Sequence, residues 1–336
     1  MTTRLAWLLL SACALVPAQQ DSVIRVDVRL VRILATVKDR GGALVGSLTK
    51  DDFQIADNGA AQQISVFERQ TDQPLSVALL IDNSGSTAKD LKYEVDSVTR
   101  FVKALLREGN PEDSVALYSF NWQIVCQNAF TRNVAAIDRS LRNLKGEAGT
   151  SLYDAILLAS RDIQFRPGRK IIVVVTDGGD TVSKTDFNRA TEAAQLADAV
   201  IYPILVVPIT NEAGRNVGGE NALTTFAQRT GGRVFAPTLG AQMDGAFDQI
   251  IRDLRTQYLL AFYPKDTPLT PDRFHSLQVS VRNPDLRVVA RSGYYGEAKQ
   301  EGTSAYSGSA TGPTGVTAGD ETVRPQKPPA KKAKGP

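Results

Sequence analysis

Three separated stretches carry side chains able to do chemistry. In "IDNSGST", residues 81–87, a carboxylate at Asp82 is followed by hydroxyls at Ser84 and Ser86, and Gly85 permits a tight bend. "GEAGTSLYDAI" adds the Thr150 hydroxyl, and "VVVTDGGD" adds the Asp177 carboxylate. The five side chains offer oxygen and neither nitrogen nor sulfur. That set suits one hard divalent cation, Mg²⁺, with Mn²⁺ or Ca²⁺ as alternatives. Only two of the five groups are charged. If the carboxylates act through water, the cation stays electron-poor and keeps an open position, which an acidic group of a partner could fill. The plainer reading of 82–87 is a polar turn whose Ser or Thr caps the helix starting near residue 88. Capping and metal binding can coexist.

Other chemistries lack their residues. The chain has no GxxxxGK[ST] and no GxGxxG for phosphates. His275 is the only histidine, and there is no G-x-S-x-G elbow. With one His, and only Cys126 left once a leader carrying Cys13 is removed, a zinc centre is not expected. Cys126, inside "WQIVCQNAF", reads as a small buried apolar side chain.

The elements that must position the five oxygens are legible from the apolar pattern. Four apolar runs, "VALLI" (77–81), "VALYSF" (115–120), "IIVVV" (171–175) and "VIYPILVV" (200–207), alternate with helical stretches. Continuous apolar strands indicate a parallel sheet covered on both faces. Pro203 places the last strand at or near an edge, or at a bulge. Leu91, Val95, Val98, Phe101, Val102, Leu105 and Leu106 share one helical face, and Gly109 follows as a stop. Ala155, Ile156, Ala159 and Ile163 form a second such face, and further helices fit 134–144, 184–197, 221–230 and 241–256. The expected fold is α/β: a doubly wound, mostly parallel sheet over 75–260 with flanking β-rich segments. In such sheets ligands bind beyond the carboxyl ends of the strands, where Asp82 and Asp177 fall.

The flanks read as strands. Residues 22–70 include the alternating run "VIRVDVRLV" and an Asn58-Gly59 hairpin signal. After 257 strands return, first in "YLLAFYP" and then within the C-terminal segment 261–296, where Leu277, Val279 and Val281 alternate. The working hypothesis pairs these two segments in one small β domain; the alternative is two separate extensions. From 297 to 336 Gly, Ser, Thr, Pro and Lys dominate, a composition expected to stay disordered. Residues 1–18 have the charged start, apolar core and small-residue cleavage site of a signal peptide. Export to the periplasm, cell envelope or medium is therefore expected. Leu10-Ser11-Ala12-Cys13 also fits a lipoprotein box, although cleavage before Cys13 leaves a very short signal. After signal removal no segment approaches the length of a membrane span. The net charge of +3 is small and owes much to the lysine-rich end, so nucleic acid is not an expected partner.

Asp82-x-Ser84-x-Ser86 with Thr150 and Asp177 resembles the metal-ion-dependent adhesion site of von Willebrand factor A-type domains, over residues 75–260. "VKDRGGALVGSLTKDDFQIADNG" before it and "QYLLAFYP" with "VARSGYY" after it resemble the exported bacterial VWFA-related proteins. The resemblance implies direct metal bonds from Ser84, Ser86 and, in some states, Thr150, with Asp82 and Asp177 acting mainly through water. Ala148 stands where relatives often carry a glycine, and Asp180 resembles a polar neighbour of the site rather than a ligand. The implied function is a cation-dependent protein-binding module for adhesion or assembly, gripping an Asp or Glu of a protein partner, and not an enzyme. The alternatives are a metal-assisted hydrolase and a scaffold whose metal site stays empty.

Overall fold

The structure, a computed structural model, describes residues 30–69, 73–85, 91–206, 216–237, 241–267 and 273–296, with side chains in 91–93 left aside. The signal segment, most of the alternating run at 23–31, Ser86 and the tail from 297 lie outside the described residues.

The described chain opens with β1 (Val31–Lys38), β2 (Phe53–Asp57), β3 (Ala60–Gln62) and β4 (Val66–Arg69). Asn58 and Gly59 join β2 to β3 with φ of 47° and 83°. Those two left-handed residues make the type I′ turn that matches strand twist. The α/β part follows: β5 (Leu75–Asp82), α1 (Leu91–Glu108), β6 (Ser114–Phe120), β7 (Ile124–Thr131), α2 (Val134–Arg142), α3 (Leu152–Ile163), β8 (Arg169–Thr176), α4 (Phe187–Leu196), β9 (Ala199–Leu205), α5 (Val217–Thr230) and α6 (Ala241–Thr256). Four strands close the described chain: β10 (Tyr258–Phe262), β11 (Phe274–Val281), β12 (Arg287–Val289) and β13 (Gly293–Tyr295).

The five-stranded sheet has the order β7-β6-β5-β8-β9. β6, β5, β8 and β9 are parallel, and β7 is antiparallel to β6. Period-two alternation splits the two cores. Val77, Leu79 and Ile81 join Val98, Phe101, Ile137, Phe247 and Ile250 of α1, α2 and α6. Ala78 and Leu80 join Leu152, Ile156, Ala190, Ala194, Leu223 and Phe226 of α3, α4 and α5. Helices therefore cover both faces, which is why β5 reads as an unbroken apolar run. At residue 109, after α1, a Cβ would collide with the Asp113 carboxylate and the Leu105 carbonyl, so the helix stops on glycine. β9 is an edge strand, which tolerates Pro203 and its missing N–H.

Two four-stranded antiparallel sheets, β12-β1-β10-β4 and β13-β11-β2-β3, pack around a third core. Ile33, Val37, Phe53, Ile55, Tyr258, Leu260, Phe262 and Leu277 fill it. Each sheet combines strands from both ends of the chain. β1 pairs with β10, Val31 opposite Phe262, and β2 pairs with β11, Val279 opposite Ile55. β10, the strand read from "YLLAFYP", starts at Tyr258 and belongs to the antiparallel layer.

Two sequence expectations need correction. Cys126 is exposed, not buried. It lies on β7, a fifth strand that the apolar pattern did not reveal. β7 is an edge strand on which no residue is fully buried, so its composition is under no pressure to be continuously apolar.

Candidate functional site

The strand order reverses at β5: β6 lies on one side of it and β8 on the other. The carboxyl ends of β5 and β8 thus flank a switch point, the crevice where α/β sheets hold ligands. Asp82 is the last residue of β5, and Asp177 follows the last residue of β8.

Asp82 is wholly buried. Its Oδ1 accepts the Ser84 N–H at 2.8 Å, and its Oδ2 accepts the Thr176 hydroxyl at 2.6 Å. Both oxygens are thereby oriented. Burial pushes the Asp82 pKa up to about 6, the Asp177 carboxylate pushes the same way, and the bonds from Thr176 and Ser84 oppose the shift. Thr176 Oγ1 also accepts the Gly178 N–H at 3.2 Å, so one hydroxyl ties Asp82 to the bend that carries Asp177. Asp177 itself is half-buried.

The first loop is fastened sideways by Asn83. Its N–H donates to Phe120 O at 3.1 Å, its carbonyl accepts the Glu147 N–H at 3.0 Å, and its Nδ2 donates to Lys145 O at 2.7 Å. Ser84, almost fully buried, forms a parallel bridge with Glu147. That joins the Asp82 loop to the segment leading into Thr150.

Thr150, also buried, is fixed to the third loop. Its carbonyl accepts the N–H groups of Thr181 at 2.8 Å and Val182 at 3.2 Å, and its own N–H donates to Thr181 Oγ1 at 2.9 Å. Ser151 holds the other flank, donating from N and Oγ to Asn121 O at 2.8 and 2.7 Å. Gly149 has φ of 84°, and a Cβ there would lie 3.1 Å from Trp122 Cβ. Trp122 is 56% exposed and Val182 46%, an apolar pair on the rim of these loops. Trp122 Nε1 donates to Glu147 Oε2 at 2.8 Å.

The structure brings Asp82 and Ser84 into direct hydrogen bonding, ties the Thr150 loop to both neighbouring loops, and places Asp177 beside Asp82. Ser86 lies outside the described residues. Asp180 plays a supporting part: its Oδ1 accepts the Tyr153 N–H at 3.1 Å and the Ser183 hydroxyl at 2.5 Å, holding the start of α3. Among the described residues no group of three or more His, Cys, Asp and Glu side chains gathers as a metal cluster. The candidate donors here are two carboxylates and three hydroxyls, so such a cluster is not what they form. Thr176 and Asn83 escaped the sequence reading. Thr176 carries no signal of its own as the end of an apolar run, and only pairing across strands reveals it.

His275 stands apart in the antiparallel layer. Its Nδ1 lies 3.0 Å from Asp57 Oδ1, its ring stacks on Tyr294 at 4.6 Å, and the Tyr294 hydroxyl donates to Asp57 Oδ2 at 2.7 Å. Among the described residues this polar cluster makes no hydrogen bond to the loops above. A cleft of about 460 Å³ is bordered by Leu75, Gly109, Asp113 and Arg169, at the opposite edge of the parallel sheet.

Residues 77–180 match the sequence model of the von Willebrand factor type A domain. No curated protein matches the chain. Among solved structures it is similar to the vWF domain of the type V pili tip protein Mfa5 from Porphyromonas gingivalis, at 17% identity and TM-score 0.46, over 54% of this chain and 94% of that one. It is also similar to an aerotolerance-related membrane protein from Bacteroides fragilis, at 18% identity and TM-score 0.41, over 54% and 98%. A third is BatB, a conserved hypothetical protein from Bacteroides thetaiotaomicron, at 20% identity and TM-score 0.41, over 54% and 97%. With its mostly parallel sheet between two helical layers and its match over 77–180, the chain carries a von Willebrand factor type A domain.

Proposed function

We propose that this protein is an exported, cation-dependent binding module that uses one divalent ion to grip an acidic residue of a protein partner. The observation that carries the reading is the fixing of Asp82 between Ser84 and Thr176, at a switch point where three loops are tied together. The donor set fits a hard cation. The side chains of Asp82, Ser84, Ser86, Thr150 and Asp177 offer only oxygen, and the buried Asp82 carboxylate is a group that a neighbouring cation would stabilise. These five residues would hold Mg²⁺, or Mn²⁺ or Ca²⁺ in its place. When bound, the ion supplies a Lewis-acidic position for a carboxylate oxygen of the partner.

The chain's own residues do the rest. Thr176 and the Ser84 N–H hold Asp82 in one orientation, and Asn83 pins the first loop to the second. Trp122 and Val182 present apolar surface at the rim, as suits contact with another protein. The signal-like start would direct the module to the periplasm, the cell envelope or the medium. Among the described residues no helix is long and apolar enough to cross a membrane.

Calorimetric titration with Mg²⁺, and capture of partners from the source cell envelope with Mg²⁺ or with chelator, test the reading. The expected result is one bound ion, lost in Asp82→Ala, and a captured protein released by chelator. A partner held equally well by Asp82→Ala in chelator overturns it.

A further inference from the structure

At the edge of the parallel sheet opposite the candidate cation site, two arginines are buried without enough acceptors. Arg169 opens β8 and is 5% exposed; Arg291 lies between β12 and β13 and is 8% exposed. A guanidinium carries five N–H donors. Among the described residues Arg169 makes one side-chain hydrogen bond, from Nη1 to Leu254 O, and Arg291 makes one, from Nη1 to Asp198 Oδ1 at 2.8 Å. The Nε atoms of both are buried with no partner. Charged groups in this condition are rare in folded proteins, because leaving such donors unmatched is costly.

Both arginines border one small cleft. Arg32 of β1 and Lys170 of β8 border it too, and Asp198 is the one carboxylate on its wall. Arg291 already engages Asp198, and Arg32 donates to Gln73 Oε1 at 2.7 Å, so the unmet donors at the cleft are those of the two buried guanidinium groups. Leu34 and Leu259 close the cleft from the antiparallel layer. Its volume of about 30 Å³ exceeds the roughly 10–15 Å³ that one water needs, and leaves room for one small ion.

We infer that this cleft binds a small inorganic anion, held by Arg169 and Arg291 with Arg32 and Lys170 around it. The ion accepts hydrogen bonds that the protein leaves unmade and balances the local positive charge. Because Arg32 and Arg291 come from the antiparallel layer and Arg169 and Lys170 from the parallel sheet, it fastens one to the other. The size of the cleft favours a halide over a tetrahedral oxyanion. The inference is independent of the cation reading.

The test is thermal unfolding of the full chain in sodium chloride, bromide, phosphate or gluconate at matched ionic strength, with crystals grown in bromide. Chloride and bromide should raise Tm over gluconate in a saturable way, by about 2–4 °C. An anomalous bromide peak should lie within hydrogen-bonding distance of both guanidinium groups. Arg291→Gln and Arg169→Gln should each flatten the chloride response to the gluconate baseline. A larger shift in phosphate supports the anion site with an oxyanion as its occupant. Superimposable chloride and gluconate curves with no bromide peak mean that the cleft holds water, and overturn the inference. So does an undiminished chloride response in a folded variant. If neither variant folds, the wild-type titration and the bromide peak decide.

Discussion

The Thr176 hydroxyl donates to Asp82 Oδ2 at 2.6 Å, joining the last residues of two adjacent parallel strands. It fixes the carboxylate on which the candidate site depends, without offering a ligand itself. Thr176→Val keeps the shape and removes the bond. It should cost about 1–3 kcal/mol of stability, because both Asp82 and the Gly178 N–H lose a buried partner. Mg²⁺ affinity should fall as well, and Thr176→Ser should restore both. Urea denaturation and calorimetry give the two readouts. Unchanged stability and affinity in the valine variant would show that Asp82 is oriented by something else.

Metal dependence should appear as stability. A ligand that binds only the folded state adds about 2.7 kcal/mol when its concentration is 100-fold above Kd. The Tm of the wild type should rise with Mg²⁺ and return to its starting value with chelator. In Asp82→Ala the Mg²⁺ and chelator curves should coincide. A wild type whose Tm ignores Mg²⁺, Mn²⁺ and Ca²⁺ alike contradicts the reading.

Gly149 should resist replacement. Its φ of 84° lies in the left-handed region, and a Cβ would press on Trp122. Gly149→Ala should destabilise the protein by about 1–3 kcal/mol and weaken Mg²⁺ binding by displacing the Thr150 loop. Gly245→Ala is the control. It sits in α6, where an added Cβ would meet no atom within 4 Å, and should be neutral or mildly stabilising.

Asp253 links the α/β part to the antiparallel layer. It is almost fully buried, lies 2.7 Å from Arg233 Nε, and lies 3.7 Å from Lys38 Nζ on β1. Burial lowers the Lys38 pKa, and the nearby Asp253 charge opposes that shift. Asp253→Ala should cost about 1–3 kcal/mol, since it takes the anion from Lys38 and one of its partners from Arg233. Differential scanning calorimetry should show the loss, and a Tm within a degree of wild type would refute it.

Cys126 should react slowly despite its exposure. Burial of the thiol raises its pKa, and the Asp162 charge adds to the shift, while a hydrogen bond with Tyr118 opposes it. A raised thiol pKa leaves less thiolate at neutral pH, and thiolate is the nucleophile. With Cys13 replaced by Ser, alkylation by iodoacetamide at pH 7 should run several-fold slower than for a free thiol of ordinary pKa. The rate should keep climbing above pH 9. Mass spectrometry over time measures it, and a plateau below pH 9 would contradict the shift.

What the sequence disclosed follows from how strongly burial constrained each element. Strands β5 and β8 face apolar helices on both sides, so Val77 to Ile81 and Ile171 to Val175 are continuously apolar and easy to read. Asn58-Gly59 is legible because few residue pairs adopt two successive left-handed conformations. Pro203 marks an edge because a central strand needs its N–H. β7 was missed because an exposed edge strand need not be apolar, and Cys126 was misplaced with it. Within the site, Asp82, Ser84, Thr150 and Asp177 stood out by type and spacing. Thr176 and Asn83 did not, since their roles depend on contacts between segments far apart in the chain. Asn83 reaches Lys145 and Glu147 across more than 60 residues.

The pairing of β1 with β10 also decides how the molecule would carry tension. Val31 sits opposite Phe262 on β10, and Arg69 sits opposite Tyr258 on its other side, so the chain enters and leaves the α/β part at neighbouring points on one sheet. A pull between the two ends of the protein would first load the antiparallel strands, β1 peeling from β10 one residue pair at a time. The loops around Asp82 and Thr150 lie outside that force path while those pairs hold. A module gripping its partner through them would keep its hold under a strain that begins to open the rest of the molecule.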